Sequence, residues 1–351
     1  MKVYFIGPNF YGSISMQRSK SLRNIFNNDF THIVNNLDPG FINLQIFKII
    51  IYKIGFKSEI IEKINNKILK KIKADHDFGI IIVDKGQVIK PETLAHLRKN
   101  CPKYYFLLIN VDHPFIYLSW GWGLFLKSLY YYNFILAPRE SCVQKYKEKF
   151  NVRSSFFYYP ISTNYHNPDK RHVRKKIITN PKYIFIGTFE FSRFIHLFFA
   201  SLLIKNNILI YGPRWKYLKY IPFLNIGDGK SFGKYYKMLS LRADIVFCFF
   251  NIRNQDIQNT RFWSLLALKK IMIVKRNSVT EKFLGKKYPL LYSNFYDFLK
   301  LIYRLKKNQV DFMLAQRSIA NANKSVVTSD DFWKKITNEI CRYNFTNTKR
   351  S

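Results

Sequence analysis

Residues 240–275 constrain the fold more than any other stretch of the chain. They read SLRADIVFCFFN over 240–251, then a polar loop, then NTRFWSLLAL over 259–268 and KKIMIV over 269–274. A buried strand over 245–250 feeds a loop, the loop opens a helix near Asn259, and a second apolar strand follows. This is half of a doubly wound α/β unit. Ligands of such sheets sit at the carboxyl ends of strands and the amino ends of helices. Arg261 falls in the first turn of that helix, facing that edge.

The same grammar repeats along the chain. Residues 2–6 form an apolar strand ending in Gly7-Pro8, and a helix follows through 15–22. Residues 41–73 carry apolar residues at helical spacing, divided at Gly55. Apolar strands follow at 78–83, 104–109, 134–137 and 154–159, and Pro91 starts a helix over 91–100. Residues 166–181 are polar, basic and proline-flanked, and read as a linker. The pattern then restarts with a strand at 183–186 ending in Gly187-Thr188, a helix over 192–204, and a strand at 208–211 ending in Gly212-Pro213-Arg214. Helices follow over 294–305, 311–323 and 331–341, the last capped by Ser329 or Asp330. Residues 344–351 read as a frayed tail. The fold class is therefore α/β, two Rossmann-like doubly wound domains. The expected division is 1–165, linker 166–181, 182–330, and 331–351 as a final helix and tail.

At 351 residues and 48% hydrophobic content, both domains have material for a core. The net charge of +36, from 58 basic and 22 acidic residues, speaks to partners: nucleic acid, anionic membrane or phosphate-bearing substrates. Neither an RNA-recognition nor a helix-turn-helix signature accompanies it, so nucleic acid is the weakest of the three. Cys101, Cys142, Cys248 and Cys341 have neither zinc spacing nor a disulfide pattern, which suits a reducing, cytoplasmic setting. Four apolar residues between Lys2 and Gly7 are too few for a signal peptide. Residues 115–137 hold one charge, Lys127, with Trp120, Trp122 and Tyr130-Tyr131-Tyr132. The lysine and Gly121 and Gly123 argue against a span. Core packing, or a face at the depth of the membrane interface, fits the aromatics.

Two motifs fail on inspection. Asp75-His76-Asp77 is a chelating pattern, but it precedes a strand, at the wrong end of the sheet. Gly227 through Ser231 resembles the end of a phosphate loop, but the opening glycine it needs is Leu224. The carboxyl-end loops are better candidates. Gly187 and Gly212 allow close backbone approach to a ligand. Arg193, Arg214 and Arg261 can set guanidinium forks around a diphosphate. Asp112 and His113, just past the strand at 104–109, can orient or deprotonate a hydroxyl.

In order and spacing, these stretches resemble the CgeB/YkvP-like (spore-maturation-protein-like) glycosyltransferases of the GT-B superfamily. The resemblance rests on 77–85, 108–114 with Asp112, 183–187 with Arg193, ILIYGPRW at 208–215, Gly227 with Tyr235-Tyr236, 243–251 with Asn259-Thr260-Arg261, and 283–285 leading to Tyr292. It implies two Rossmann-like domains facing a cleft, with the last helix crossing back to the N-terminal domain. It also implies a nucleotide-sugar donor on the C-terminal domain and no required metal or other cofactor. The acceptor, a cell-surface glycan, lipid or protein, would lie on the N-terminal domain. The donor residues it implies are Gly187, Arg193, Tyr211, Gly212, Arg214, Tyr235, Asn259, Arg261 and Ser264, with Asp112 and His113 on the acceptor side. Peripheral contact with the inner face of an anionic membrane, through the basic surface and Trp120/Trp122, fits the charge. The chain departs from the family where Trp263 and Ser264 replace a Phe-Glu pair, where Lys269-Lys270 replace paired glycines, and at Lys287. The glutamate is expected to hold the donor ribose. Its loss keeps open a second reading, a catalytically degenerate GT-B-fold sugar- or nucleotide-binding protein.

Overall fold

The computed structural model describes residues 1–10, 13–35, 59–73, 78–116, 122–162, 182–205, 207–227, 231, 233–252 and 254–348, with backbone alone at 234 and 343–348. The chain divides into two compact units, Met1–Tyr158 with Ser329–Ser351, and Tyr159–Thr328. The expected linker 166–181, the division at Gly55 and the Asp75-His76-Asp77 motif lie outside the described residues.

Unit 1 carries β1 (Lys2–Gly7), β2 (Phe30–Val34), β3 (Gly79–Asp84), β4 (Tyr104–Ile109), β5 (Phe134–Ala137) and β6 (Ser154–Phe156). They form one parallel sheet in the order β2-β1-β3-β4-β5-β6. Strands covered on both faces must be apolar at nearly every position, and β3 and β4 are buried along their whole length. The covering helices are α1 (Ile14–Phe26), α2 (Glu59–Lys71), α3 (Pro91–Asn100), α4 (Gly123–Ser128) and α5 (Glu140–Phe150). The Ser13 hydroxyl caps α1 by accepting from the Met16 amide at 3.1 Å. The sequence order reverses between β1 and β3, so the carboxyl ends of these two strands form the switch point of the unit. There Arg18 of α1 reaches Asp84 at 2.7 Å with both side chains buried.

The last helix, α12 (Ser329–Thr348), belongs to unit 1. It packs on α1, with Trp333 fully buried and Cys341 Sγ 3.6 Å from Met1 Sδ. Ser329 lies inside this helix rather than capping it, and the helix runs past the expected frayed start at Asn344.

Unit 2 carries β7 (Tyr183–Ile186), β8 (Ile208–Tyr211), β9 (Asn225–Ile226), β10 (Ile245–Cys248), β11 (Ile271–Lys275) and β12 (Leu291–Tyr292). Its parallel sheet has the order β12-β11-β10-β7-β8-β9, the Rossmann order, which reverses between β7 and β10. Strand β10 stops at Cys248, two residues short of the expected end, and frees Phe249 and Phe250 for the carboxyl edge. The helices are α6 (Phe191–Leu203), α7 (Lys234–Arg242), α8 (Thr260–Ala267), α9 (Ser278–Leu284), α10 (Phe295–Lys306) and α11 (Phe312–Asn323). Helix α6 packs with α10, and α11 with α8 and α9. Asn259, Asn277, Asn294 and Asp311 cap α8, α9, α10 and α11 through side-chain oxygens. The two ends of the unit are tied where the Ile161 amide donates to Val327 O at 3.0 Å.

Among the described residues no helix is long and apolar enough to cross a membrane. Trp122, for which core packing and a membrane-facing position were both expected, is 6% exposed and set edge-on against Phe125 at 4.8 Å. Its ring fills the core of unit 1, and Trp120 lies outside the described residues.

Candidate functional site

The switch point of unit 2 is built around two glycines. The Gly187 amide, at the end of β7, donates to Tyr211 O at 2.8 Å. Gly212, at the end of β8, has φ +140°, and a Cβ there would stand 2.1 Å from Gly187 O. Only glycine allows the two strand ends to close so tightly. Trp215 Nε1 donates to the same Gly187 oxygen at 2.8 Å and fixes the loop. The Tyr211 ring lies on Gly227, where a Cβ would meet it at 2.3 Å.

Two arginines from different helices meet this glycine floor. Asn259 sets the start of α8: its Oδ1 accepts from the Phe262 amide at 2.9 Å, and its Nδ2 donates to Phe249 O at 3.1 Å. Arg261, on the first turn, donates from Nη1 to Phe249 O at 3.4 Å and holds its guanidinium 5.4 Å from the Phe185 ring centroid. A Cβ on Gly187 would lie 2.5 Å from Arg261 Nη2, so the glycine is what admits the guanidinium. Arg193, on α6, is 7% exposed. It donates from Nη1 to Thr188 O at 3.0 Å and pairs through Nη2 with Glu190 at 3.2 Å. Its Nε is buried with no hydrogen-bond partner among the described residues. Burial, and then the nearby positive charge of Arg261, push the Arg193 guanidinium down to about 10. Arg193 therefore stays charged at neutral pH, and the positive potential at this site is relieved by an anion.

Three residues near them are not among the donor residues expected from the sequence. Cys248, buried beneath, has its thiol pushed up to about 12 by burial, although the charges of Arg261 and Arg193 oppose this. Tyr236 of α7 has its hydroxyl pushed up by burial and feels the charge of Arg261. Asp256, in the loop after β10, acts on Arg193 with the opposite sign. The neighbouring Tyr235 is half-buried on the same helix as Tyr236. Arg214 is exposed at φ 70°, and no hydrogen bond or ion pair places it against Gly187. Ser264 is buried, and its hydroxyl donates to Thr260 O at 2.7 Å within α8. Beside the arginines a cavity of about 250 Å³ opens, lined by Arg193, His196, Phe249, Asp256, Lys275 and Asn294 among others. His196 donates from Nδ1 to Ser192 O at 2.7 Å, since a carbonyl can only accept, which leaves Nε2 without the proton when the ring is neutral.

Unit 1 presents its own carboxyl edge. Asp112 pairs with Lys85 at 3.0 Å, and that carboxylate raises the lysine above its ordinary range. Lys85 itself sits at φ 72°, its amide held by Ile109 O at 2.9 Å. The Asp112 amide donates to Asn110 Oδ1 at 3.1 Å, and Asn110 Nδ2 donates to the Tyr146 hydroxyl at 2.7 Å, so the aspartate stands on a buried polar frame. His113 is different. It is 4% exposed, and its Nδ1 accepts from the Phe115 amide at 3.3 Å. Burial, then the charges of Arg139 and Lys145, push it down to about 4. A neutral ring whose Nδ1 is already accepting carries its proton on Nε2, so His113 is placed as a donor rather than a base. Asp112 keeps the free lone pairs.

No family model matches the sequence, and no curated protein matches it either. Solved structures do match. OtsA, a trehalose-6-phosphate synthase, superposes with a TM-score of 0.68 at 10% identity, covering 97% of this chain and 99% of its own. Sucrose-phosphate synthase from Thermosynechococcus elongatus gives 0.66 at 9% identity, with each chain covered completely. HepE from Anabaena, in complex with UDP, gives 0.62 at 8% identity, covering 97% of this chain and 100% of its own. The fold is GT-B. Both parallel six-stranded sheets with their flanking helices belong to that architecture.

Proposed function

We propose that this GT-B chain is a glycosyltransferase of the CgeB/YkvP-like kind, moving a sugar from a nucleotide-activated donor to a surface glycan, lipid or protein. The observation that carries this reading is the pair Arg193 and Arg261, set on the Gly187–Gly212 floor at the unit 2 switch point. Structural neighbours that bind UDP support it. The donor diphosphate would lie against the guanidiniums and the amino end of α8. As the bond from the anomeric carbon to the phosphate oxygen breaks, negative charge grows on that oxygen. Fixed cations stabilise it without reorganising. The acceptor oxygen forms the new bond to the anomeric carbon, and Asp112 takes its proton or orients it. No cofactor is proposed, because the two arginines supply the positive charge that the leaving group requires.

Arg261→Ala is the test. Release of nucleoside diphosphate from a panel of nucleotide sugars is expected to fall roughly a hundredfold, as on removing one stabilising donor, with the unfolding midpoint retained. Unchanged turnover would contradict the assignment.

Ser264 favours a second reading. Its hydroxyl is bound to Thr260 O inside the helix where the related enzymes are expected to place a ribose-binding glutamate. A GT-B-fold protein that binds nucleotide sugars without turning them over would show binding and no diphosphate release in the same panel.

A further inference from the structure

Helix α6 is built the wrong way round for a surface helix of a protein surrounded only by water. Its inner face carries Arg193, Leu197, Ala200 and Ser201. Its outer face carries Phe191, Ile195, Phe198, Phe199 and Leu202, every one apolar, and Phe191 is 69% exposed. Surface helices put polar residues outward, and contiguous exposed apolar patches mark interaction sites. The patch continues onto α10. Phe199 and Phe295 meet with ring centroids 5.5 Å apart. Beyond Phe295, α10 turns a row of Tyr296, Lys300 and Tyr303 outward, with Lys307 just past its end. Lys300 Nζ stands 4.4 Å from the Tyr296 ring centroid, and Lys307 Nζ 5.8 Å from that of Tyr303.

We infer that the outer face of α6 and α10 docks unit 2 onto a lipid bilayer bearing anionic headgroups. The chemistry is graded as a membrane interface is graded: phenylalanine and leucine on α6, tyrosine along α10, then lysine. Asp297 is the sole acidic residue in these two helices, and its carboxylate already accepts from the Ser293 amide at 2.8 Å. A second copy of this chain is a poor occupant, because a net charge of +36 opposes self-association while anionic lipid attracts it. Thirteen residues of α6 extend about 20 Å, too short to cross a bilayer, so the helix lies in the plane of the interface. The docked face starts at the rim of the cavity, since Phe295 belongs to both. This surface is independent of whether the chain transfers sugar.

The full chain should sediment with vesicles of phosphatidylglycerol and phosphatidylcholine, and less with phosphatidylcholine alone. The triple variant Phe191→Ser, Phe199→Ser, Leu202→Ser is expected to bind at least about tenfold more weakly. Lys300→Gln and Lys307→Gln should each cost roughly fivefold, on the anionic vesicles only. All substituted side chains reach the surface, and although Phe199 gives up its contact with Phe295, each variant should still unfold in one cooperative transition. The inference is overturned if the parent chain stays in the supernatant. It is also overturned if the triple variant binds as well as the parent. Light scattering that shows a dimer dissolved by the triple variant, with no difference on vesicles, assigns the face to self-association instead.

Discussion

Gly212→Val is expected to destabilise unit 2 by about 4 kcal/mol or more. Two independent costs meet at this residue. A φ of +140° is open to glycine and strained for valine, and the new Cβ would stand 2.1 Å from a backbone oxygen, Gly187 O. A side chain can swing aside, but a carbonyl at the end of a central strand cannot without breaking its bond to Trp215 Nε1. The neighbouring Gly187→Ala differs in kind. Its Cβ would meet Arg261 Nη2 at 2.5 Å and the ring of the buried Phe185 at 2.8 Å, so that variant should lose ligand and give up some stability, less than Gly212→Val. Gly123→Ala is the control, since nothing lies within 4 Å of a Cβ there. Denaturant unfolding of the three variants beside the parent chain should separate them in the order Gly212, Gly187, Gly123.

Arg18→Met is expected to cost unit 1 about 3–5 kcal/mol, because it strands a buried carboxylate. Asp84 is 1% exposed and ends β3 at the unit 1 switch point. Its neighbour Lys85 carries the ion pair that holds Asp112. Breaking the pair should therefore loosen the edge on which Asp112 stands. The double variant Arg18→Met, Asp84→Leu should recover most of the loss, since two apolar residues need no partner. Unfolding free energies of both singles and the double close the cycle. A double variant as unstable as Arg18→Met would mean that packing around Arg18, not its charge, maintains the edge.

Where local physics decides, the sequence was legible. β4, β7 and β10 are apolar along their length, and β3 departs from this only at Gly79 and Asp84, because all four are covered on both faces. Asn259 announces α8 by its capping chemistry. The two-residue strands β9 and β12 carry no periodicity to read, and β2 mixes Thr31 and His32 with apolar residues because it is an edge. The meeting of Arg193 with Arg261 was half visible. Their places after strands could be read, but the Gly187 gap that admits Arg261 exists only in three dimensions. The orientations of His113 and Trp122 were not legible: adjacency in sequence to a loop says nothing about which way a side chain turns, and both turn inward, Trp122 as the core reading of its segment expects. Helix α6 was legible as a helix. Its apolar outer face was not, since the buried stripe carries Arg193 and Ser201 and the usual inference that polar residues face outward points the wrong way.

Titration calorimetry of UDP, GDP, ADP and CDP, each against its own nucleoside, tests the central claim most directly. The guanidinium pair reads the diphosphate, so at least one diphosphate is expected to bind roughly a hundredfold more tightly than its nucleoside, a difference of about 2.7 kcal/mol. Arg261→Ala should erase most of that difference while leaving the nucleoside affinity alone. Diphosphates that bind no better than nucleosides, or an Arg261→Ala protein that binds them as the parent does, would contradict the placement of the donor site at the unit 2 switch point.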